Sequence, residues 1–265
     1  MDSAKQGQVS RSAADVYEEF FVPALFREAA QYVVRAADIR RGQSVLDVAC
    51  GTGVLAREAA PITGAAREVT GLDRNEGMLA VARRLAPGIN WQSGLAEALP
   101  FADQSFDRVF SQFGLMFFDD RAAALREMRR VMKPGGSMHV AVWDALDRTP
   151  GYAAMVNLLN RLFGAQTADA LRAPFVLGDP GTLRKILADA GLTDPRLVTF
   201  DVTARFPSLE AWVHTDIKGW TLANLIDDDQ YRTLLGEARK ELAAFERRDG
   251  SVAFTAPVRL VAISG

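Results

Sequence analysis

The sequence predicts an α/β fold in which a doubly wound, mostly parallel sheet of seven strands is covered by helices on both faces. Three observations carry this prediction. Short apolar, β-branched runs alternate with amphipathic segments of about 10 to 15 residues, which is typical of right-handed βαβ units. A glycine-rich turn follows the first apolar run. The composition, 49% hydrophobic and 24% charged over 265 residues, provides for a large buried core.

The first half of the chain gives the alternation in order. Residues 1–14 are polar and predict a mobile arm, and residues 15–37 have helical spacing interrupted at Pro23, which predicts two helical pieces. Apolar runs then predict strands, and amphipathic stretches predict helices between them. The strands are expected near 44–48, 67–73, 89–94, 106–113 and 137–143, and the helices near 54–60, 75–86 and 121–132.

After Trp143 the alternation changes, because longer helical stretches separate the remaining strands. A helix near 182–192 and strands at 195–206 and 251–264 complete the sheet. Two helical insertions, at about 145–178 and 207–249, are expected to form a lid over the carboxyl ends of the strands, where open α/β sheets bind ligands. The sequence thus predicts a single Rossmann-like domain over residues 15–265.

The composition excludes several classes of function. A net charge of −2 gives no field that would attract nucleic acid, and no stretch approaches the roughly 18 apolar residues of a membrane span. One cysteine and two histidines provide neither a disulfide nor a metal site. These features predict a cytoplasmic protein without metal that acts on a small molecule, and leave a homodimer as one possible state.

The turn after the first predicted strand carries the strongest chemical signal. Gly51 and Gly53 let the backbone approach a ligand, and Asp73, 20 residues beyond Gly53, is placed to bind ribose hydroxyls. A nucleoside cofactor is implied. The glycines also satisfy the dinucleotide fingerprint, but Asp47 would repel a pyrophosphate and attract the cationic groups of S-adenosylmethionine (SAM).

Four segments, in order, resemble the class I SAM-dependent methyltransferases of the type 11 group, which includes quinone-biosynthesis methyltransferases. They are VLDVACGTG at 45–53, VTGLDRNEGML at 69–79, AEALPFADQSFDRV at 96–109 and MRRVMKPGGSMHV at 128–140. The remaining segments resemble, more loosely, one bacterial subset of that group. The resemblance implies a Rossmann-like fold, SAM as the cofactor and transfer of its methyl group.

The resemblance also assigns positions to the cofactor. Asp47, Ala49, Gly51 and Gly53 would surround the methionine moiety, with Tyr17 closing over its carboxylate. The ribose would contact Asp73 and Arg74, the adenine would contact Met78, and Ser111 and Gln112 would line the methyl channel. Leu95 departs from the family, which usually has an aspartate there to accept from the adenine amine. Adenine recognition must then use Ala96 or Glu97.

A second group of residues is predicted to hold the methyl acceptor. Phe113, Met116 and Phe117 follow the end of a strand, which favours an apolar substrate wall over simple core packing. Trp143 ends the next strand and would cap the pocket, with core packing as an equal alternative. His214, in the second insertion, is the histidine expected to reach a substrate and act as a base, with a surface position as its alternative. His139 is expected to be a packed strand residue.

The sequence therefore predicts transfer of a methyl group from SAM to a small, partly apolar acceptor, with O-methylation slightly preferred and C-methylation next. The sulfonium already makes the methyl group electrophilic, so the main task of the protein is alignment and exclusion of water. Two alternatives stay open. One is a nicotinamide-dependent oxidoreductase built on the same turn, and the other is a non-catalytic SAM-binding protein, which the departure at Leu95 would suit.

Overall fold

A computed structural model describes residues 11–219, 222 and 225–265, and its centre is a seven-stranded sheet. The strand order is β3-β2-β1-β4-β5-β7-β6; β7 is antiparallel to both of its neighbours and the other strands pair in parallel. The predicted fold class is confirmed. The strands are β1 Val45–Val48, β2 Val69–Asp73, β3 Asn90–Ser93, β4 Phe106–Gln112, β5 Met132–Trp143, β6 Arg196–Phe206 and β7 Val252–Ser264.

The helices cover both faces of this sheet, and five of the ten described α-helices begin at a side chain that accepts from the first turn. Asn75 accepts from two backbone N–H groups at the start of α4, and Asp227 forms a capping box with Gln230 at the start of α10. The α-helices are α1 Arg11–Val16, α2 Arg27–Ala36, α3 Val54–Thr63, α4 Glu76–Leu85, α5 Arg121–Val131, α6 Pro150–Phe163, α7 Ala165–Arg172, α8 Pro180–Asp189, α9 Leu209–Lys218 and α10 Asp228–Glu241.

The N-terminal segment differs from its prediction. The helix does not break at Pro23, because a π-helical segment, Tyr17–Phe26, joins α1 to α2 and contains the proline. The wider turn accommodates a residue that lacks an N–H group. Residues 1–10 of the predicted arm lie outside the described residues, whereas residues 11–14 are helical and Ala14 is fully buried, so that part of the arm prediction is wrong.

The order of strands places the ligand crevice. It reverses between β1 and β4, so a crevice opens beyond the carboxyl ends of these two strands. Helices α6 and α7 fall within the first predicted insertion, and α9 and α10 within the second. The end of the second insertion's first predicted helix, at 220–224, lies largely outside the described residues. No described helix combines the length and the apolar character that crossing a membrane requires.

Candidate active site

Two adjoining cavities lie at the carboxyl ends of the strands. The first, which we call the cofactor cavity, has a volume of about 830 Å³ and lies over the turn after β1. The second, the apolar cavity, has a volume of about 670 Å³ and lies beneath the π-helical segment and the helices that follow β5. Both cavities are lined by Tyr17, Phe113 and Phe117, which therefore form their common boundary.

The turn between β1 and α3 is shaped by left-handed backbone. Ala49, Gly51 and Gly53 have φ angles of 58°, 55° and 83°. Gly53 also lies against the Trp91 ring, where an added Cβ would be 2.2 Å from a ring carbon. Ala49 adopts this conformation despite its side chain, which costs about 1 kcal/mol or more. The close ring contact explains the glycine at position 53 better than ligand approach does.

Asp73 ends β2 and connects this turn to the cofactor cavity. Its Oδ2 accepts from the Gly51 N–H and its Oδ1 from the Asn75 N–H, each at 2.8 Å. Burial raises the pKa of Asp73, and these backbone hydrogen bonds partly offset the rise. Each carboxylate oxygen keeps a further lone pair for a ligand. Asp73 can therefore hold the turn and accept from ribose hydroxyls at the same time.

Asp47 differs from its predicted role. It is 1% exposed, does not line the cofactor cavity, and accepts from the Ala56 N–H at 3.1 Å within the first turn of α3. Its pKa is raised to about 8, mainly by burial; the Ala56 bond lowers the pKa, and nearby Asp73 adds to the rise. The structure therefore does not place an ionised Asp47 against a ligand in the cofactor cavity. Asp47 can influence ligand binding only through the turn that it stabilises.

Most of the predicted cofactor residues line the cofactor cavity. Those that do are Tyr17, Ala49, Gly51, Asp73, Arg74, Met78, Ala96, Glu97 and Gln112. The structure does not place Asp47, Gly53 or Ser111 on its surface: Gly53 lies against the Trp91 ring, and Ser111 is buried near the end of β4. Leu95 is 51% exposed and outside the lining, whereas Ala96 and Glu97 line the cavity, and their contact with adenine stays a prediction.

Tyr17 covers both cavities from the π-helical segment. Its ring stacks on Phe21 and Phe26, with centroid distances of 5.9 and 5.2 Å. The next residue, Glu18, forms a two-pronged ion pair with Arg57 of α3 at 2.7 and 2.9 Å. Burial raises the pKa of Tyr17 above its usual range, so the hydroxyl stays protonated. The ion pair and the aromatic stack fix this segment over the turn.

The apolar cavity contains four of the predicted acceptor residues. Phe113, Met116, Phe117 and Trp143 all line it, and the Phe113 ring stacks on Trp143 with a centroid distance of 4.0 Å. The rest of the lining was missed, because it comes from the π-helical segment and the insertions. These missed residues are Phe21, Leu25, Phe26, Tyr152, Ala170, Leu171, Pro174, Phe175, Asp216 and Leu222. The aromatic-rich sequence YEEFFVPALF is the signal that could have found the first three.

The two histidines are not at the site. His214 is exposed on α9, lies near Tyr231 and lines neither cavity, so the structure does not support its predicted role as a base or as an acceptor contact. His139 of β5 is buried, and its Nε2 lies 2.9 Å from the Ser137 hydroxyl. Burial lowers its pKa to about 4, with a smaller effect from Arg108, which fits a packed strand residue.

The cofactor cavity has the acceptors that SAM requires. The Gln112 side chain donates to the Phe26 carbonyl at 3.2 Å, and its Oε1 is buried with no hydrogen-bond partner among the described residues. That oxygen is free to accept from an ammonium group, Asp73 from ribose hydroxyls, and Glu97 from an adenine amine. The residues present therefore fit the cofactor. Among the described residues, no cluster of three or more His, Cys, Asp or Glu could hold a metal.

Comparison with known proteins points to the same chemistry. Residues 45–136 match a family model described as a methyltransferase domain. The chain is similar to a demethylmenaquinone methyltransferase of Chlorobaculum parvum, 45% identical over 112 residues, or 42% of this chain and 46% of that protein. It is also similar to the ubiquinone/menaquinone biosynthesis C-methyltransferase UbiE of Cupriavidus metallidurans, 38% identical over 161 residues, or 56% of this chain and 66% of that protein.

A solved structure extends the likeness to nearly the whole fold. The SAM complex of phosphoethanolamine N-methyltransferase 2 from Haemonchus contortus has a TM-score of 0.62 and 18% identity, and covers 96% of this chain and 57% of that one. At this identity the likeness concerns the fold. The sequence match to the Chlorobaculum protein spans less than half of that relative's length.

Proposed function

Since this chain belongs to the class I SAM-dependent methyltransferases, whose cofactor is S-adenosylmethionine, we propose that it methylates a ring carbon of a reduced quinone or a related phenol. One observation carries the proposal: a cavity that contains charged and polar side chains adjoins an aromatic-lined cavity, and both are lined by Tyr17, Phe113 and Phe117. Because the two cavities share these residues, a ligand in one would lie next to a ligand in the other. Placing the two reacting atoms next to each other is the main requirement of methyl transfer.

The residues of the cofactor cavity have separate tasks in this proposal. Asp73 holds the ribose, Ala96 and Glu97 contact the adenine, and the Gln112 Oε1 accepts from the amino-acid end. When bound, SAM supplies an electrophilic methyl group. Tyr17 then covers the cavity from the π-helical segment and excludes water from the reacting centre.

The apolar cavity suits a flat ring with few polar groups. Phe113 and Trp143 stack on each other, and Phe26 packs beside both, at centroid distances of 5.5 and 6.3 Å. Aromatic walls of this kind favour aromatic ligands through stacking, each pair adding about 0.5 to 1.5 kcal/mol. A charged or strongly polar acceptor would lose its hydration without compensation.

Carbon is placed first as the methylated atom because of the relatives. The relatives from Cupriavidus, Bordetella and Burkholderia, which match over about half of this chain, are named C-methyltransferases of ubiquinone and menaquinone biosynthesis, and their names do not favour the O-methylation preferred from the sequence. O-Methylation is kept as the second outcome. The methyltransferase match, rather than the charge of Asp47, is what speaks against the oxidoreductase alternative.

The test uses the purified protein, SAM and 1,4-naphthohydroquinone, kept reduced by dithionite under nitrogen. We expect a product heavier by one methylene unit and an equal amount of S-adenosylhomocysteine (SAH), both measured by mass spectrometry. Carbon-13 NMR of product made from labelled SAM separates a C-methyl from an O-methyl signal. Tight binding of SAH without product from any phenol or quinol in a broad panel would instead support the non-catalytic alternative. Failure to bind SAM or SAH would refute the cofactor assignment.

A further inference from the structure

The apolar cavity contains one carboxyl group whose role the proposed function leaves open. Asp216 of α9 is the single charged residue among the described residues that line this cavity. It is only 2% exposed, and it faces walls that are otherwise aromatic or aliphatic. A carboxyl in such surroundings is costly unless its oxygens have partners. Its position therefore calls for a functional explanation.

The hydrogen bonds of Asp216 are incomplete. Its Oδ1 accepts from the Tyr152 hydroxyl of α6 at 3.2 Å. Its Oδ2 and the Trp212 Nε1 are both buried without a partner at full hydrogen-bond geometry among the described residues, although Trp212 acts on Asp216 as a donor and lowers its pKa. Asp144 offers a contrast, because it is equally buried but forms ion pairs with Arg259 and Arg148. The fold thus compensates the charge of Asp144 with two arginines, although its Oδ2, like that of Asp216, has no hydrogen-bond partner among the described residues. Asp216 has one oxygen fixed by the fold and one left for something in the cavity.

The surroundings of Asp216 bring its titration close to neutral pH. Burial raises its pKa to about 7, and the two side chains that act to lower it are Tyr152 and Trp212. The other titratable groups lining the cavity are Tyr17 and Tyr152, and burial raises the pKa of both, so they stay neutral. A carboxyl that titrates near pH 7 is well matched to accept a proton from a hydroxyl group.

We propose that Asp216 is the base that takes the hydroxyl proton of the acceptor, and that Tyr152 positions it. This proposal rests on the proposed methylation of a phenolic or quinol ring. The hydroxyl proton moves to Asp216 Oδ2, and the electron density gained by the ring makes the neighbouring carbon nucleophilic. That carbon bonds to the methyl group as the sulfur–carbon bond breaks, leaving the electron pair on sulfur. The hydrogen on the same carbon departs to solvent as a proton, and Asp216 returns its proton to the oxygen.

The variants separate hydrogen bonding from proton transfer. Asp216→Asn keeps an oxygen that accepts a hydrogen bond but cannot take a proton, and Tyr152→Phe removes the bond that lowers the pKa of Asp216. Glu210→Gln is the matched control, because it also replaces a carboxylate of α9 by an amide. Glu210 is exposed and forms an ion pair with Arg239, outside the apolar cavity. Rates of 1,4-naphthohydroquinone methylation are measured from pH 5.5 to 9. Calorimetry measures binding of SAH, 1-naphthol and 1-methoxynaphthalene.

For the wild type we expect the rate to rise with pH around an apparent pKa of about 7. Asp216→Asn should lower the rate at least about 100-fold and abolish that rise, yet bind 1-naphthol and SAH within about threefold of the wild type. Tyr152→Phe should shift the rise to higher pH, a change that a purely structural tyrosine would not produce. Glu210→Gln should keep the wild-type rate and profile.

The results distinguish the two proposals. A wild type that makes product, together with an Asp216→Asn variant that retains more than a third of the rate or the same pH profile, would overturn the role of Asp216 alone. A wild type that makes no product would overturn the proposed function. Binding still tests the site in that case: the wild type should prefer 1-naphthol over 1-methoxynaphthalene, which lacks the hydroxyl proton, and Asp216→Leu should lose the preference. Equal binding of both compounds by the wild type would refute the site itself.

Discussion

Replacement of Asp73 by asparagine tests whether one carboxylate both holds the turn and binds the ribose. In the free protein its two oxygens accept from the Gly51 and Asn75 N–H groups at 2.8 Å. An amide offers one oxygen and one NH₂ group, so one of these bonds becomes a contact between two donors. A hydrogen bond to a charged acceptor contributes about 1.5 to 3 kcal/mol, and we expect the free energy of unfolding to fall by at least that amount.

The loss in cofactor affinity follows from the same bonds. Two ribose hydroxyls that donate to the carboxylate would lose at least about 1.5 kcal/mol each, or about 3 kcal/mol together, which corresponds to roughly a 100-fold rise in Kd. Isothermal titration with SAH measures this change. Asp229→Asn is the matched control, because that side chain is 86% exposed on α10 and belongs to neither cavity. The control should bind SAH as the wild type does.

A ligand lacking one hydroxyl separates direct contact from damage to the turn. The wild type should bind 2′-deoxy-SAH at least tenfold more weakly than SAH, whereas Asp73→Asn should discriminate between the two ligands by less than threefold. The coupling in this double-mutant cycle belongs to the ribose contact alone. If Asp73→Asn keeps the full preference for SAH, or binds SAH within threefold of the wild type, the assignment of the ribose to Asp73 is refuted.

Three further outcomes follow from the same geometry. Gly53→Ala adds strain at φ 83° and displaces the Trp91 ring, so we expect a loss of about 3 kcal/mol and a Tm lower by about 6 to 12 °C in calorimetry; an unchanged Tm would contradict this packing. Burial raises the pKa of Asp47 from 3.8 to about 8, so the native protein binds more protons than the unfolded chain between these values. The stability of the cofactor-free protein in urea should therefore fall as pH rises through that window, by up to about 1.4 kcal/mol per pH unit, and Asp47→Asn should flatten the dependence. Glu18→Gln breaks the ion pair between Glu18 and Arg57, in which the two side chains are 16% and 23% exposed. It should weaken SAH binding about fivefold with little change in Tm, and unchanged binding would show that this ion pair does not hold the π-helical segment over the cofactor cavity.

The sheet and the cofactor turn could be predicted because their signals are local. Each strand is a short apolar run next to a turn, and the side chain of Asp73 interacts with a turn only 22 residues away. The π-helical segment could not be predicted, since it depends on how Pro23 and the aromatic residues around it pack against the rest of the fold. The role of Asp47 could not be predicted for a related reason. Its position before the turn suggested contact with the ligand, but its burial depends on the tertiary structure.

Helix α9 carries both residues that have been considered as the base, His214 and Asp216. His214 and Asp216 are two residues apart on α9, and at 3.6 residues per turn their side chains point about 200° apart, so only one of them can face the cavity. Trp212 and Val213 are fully buried and lie on the same face of the helix as Asp216, whereas His214 is exposed on the other. An aspartate on the apolar face of an amphipathic helix is the feature that needs a reason. His214 was chosen for its residue type, whereas the helical period places Asp216 on the buried face. A ligand hydroxyl in the cavity would supply a hydrogen-bond donor to this buried carboxyl group.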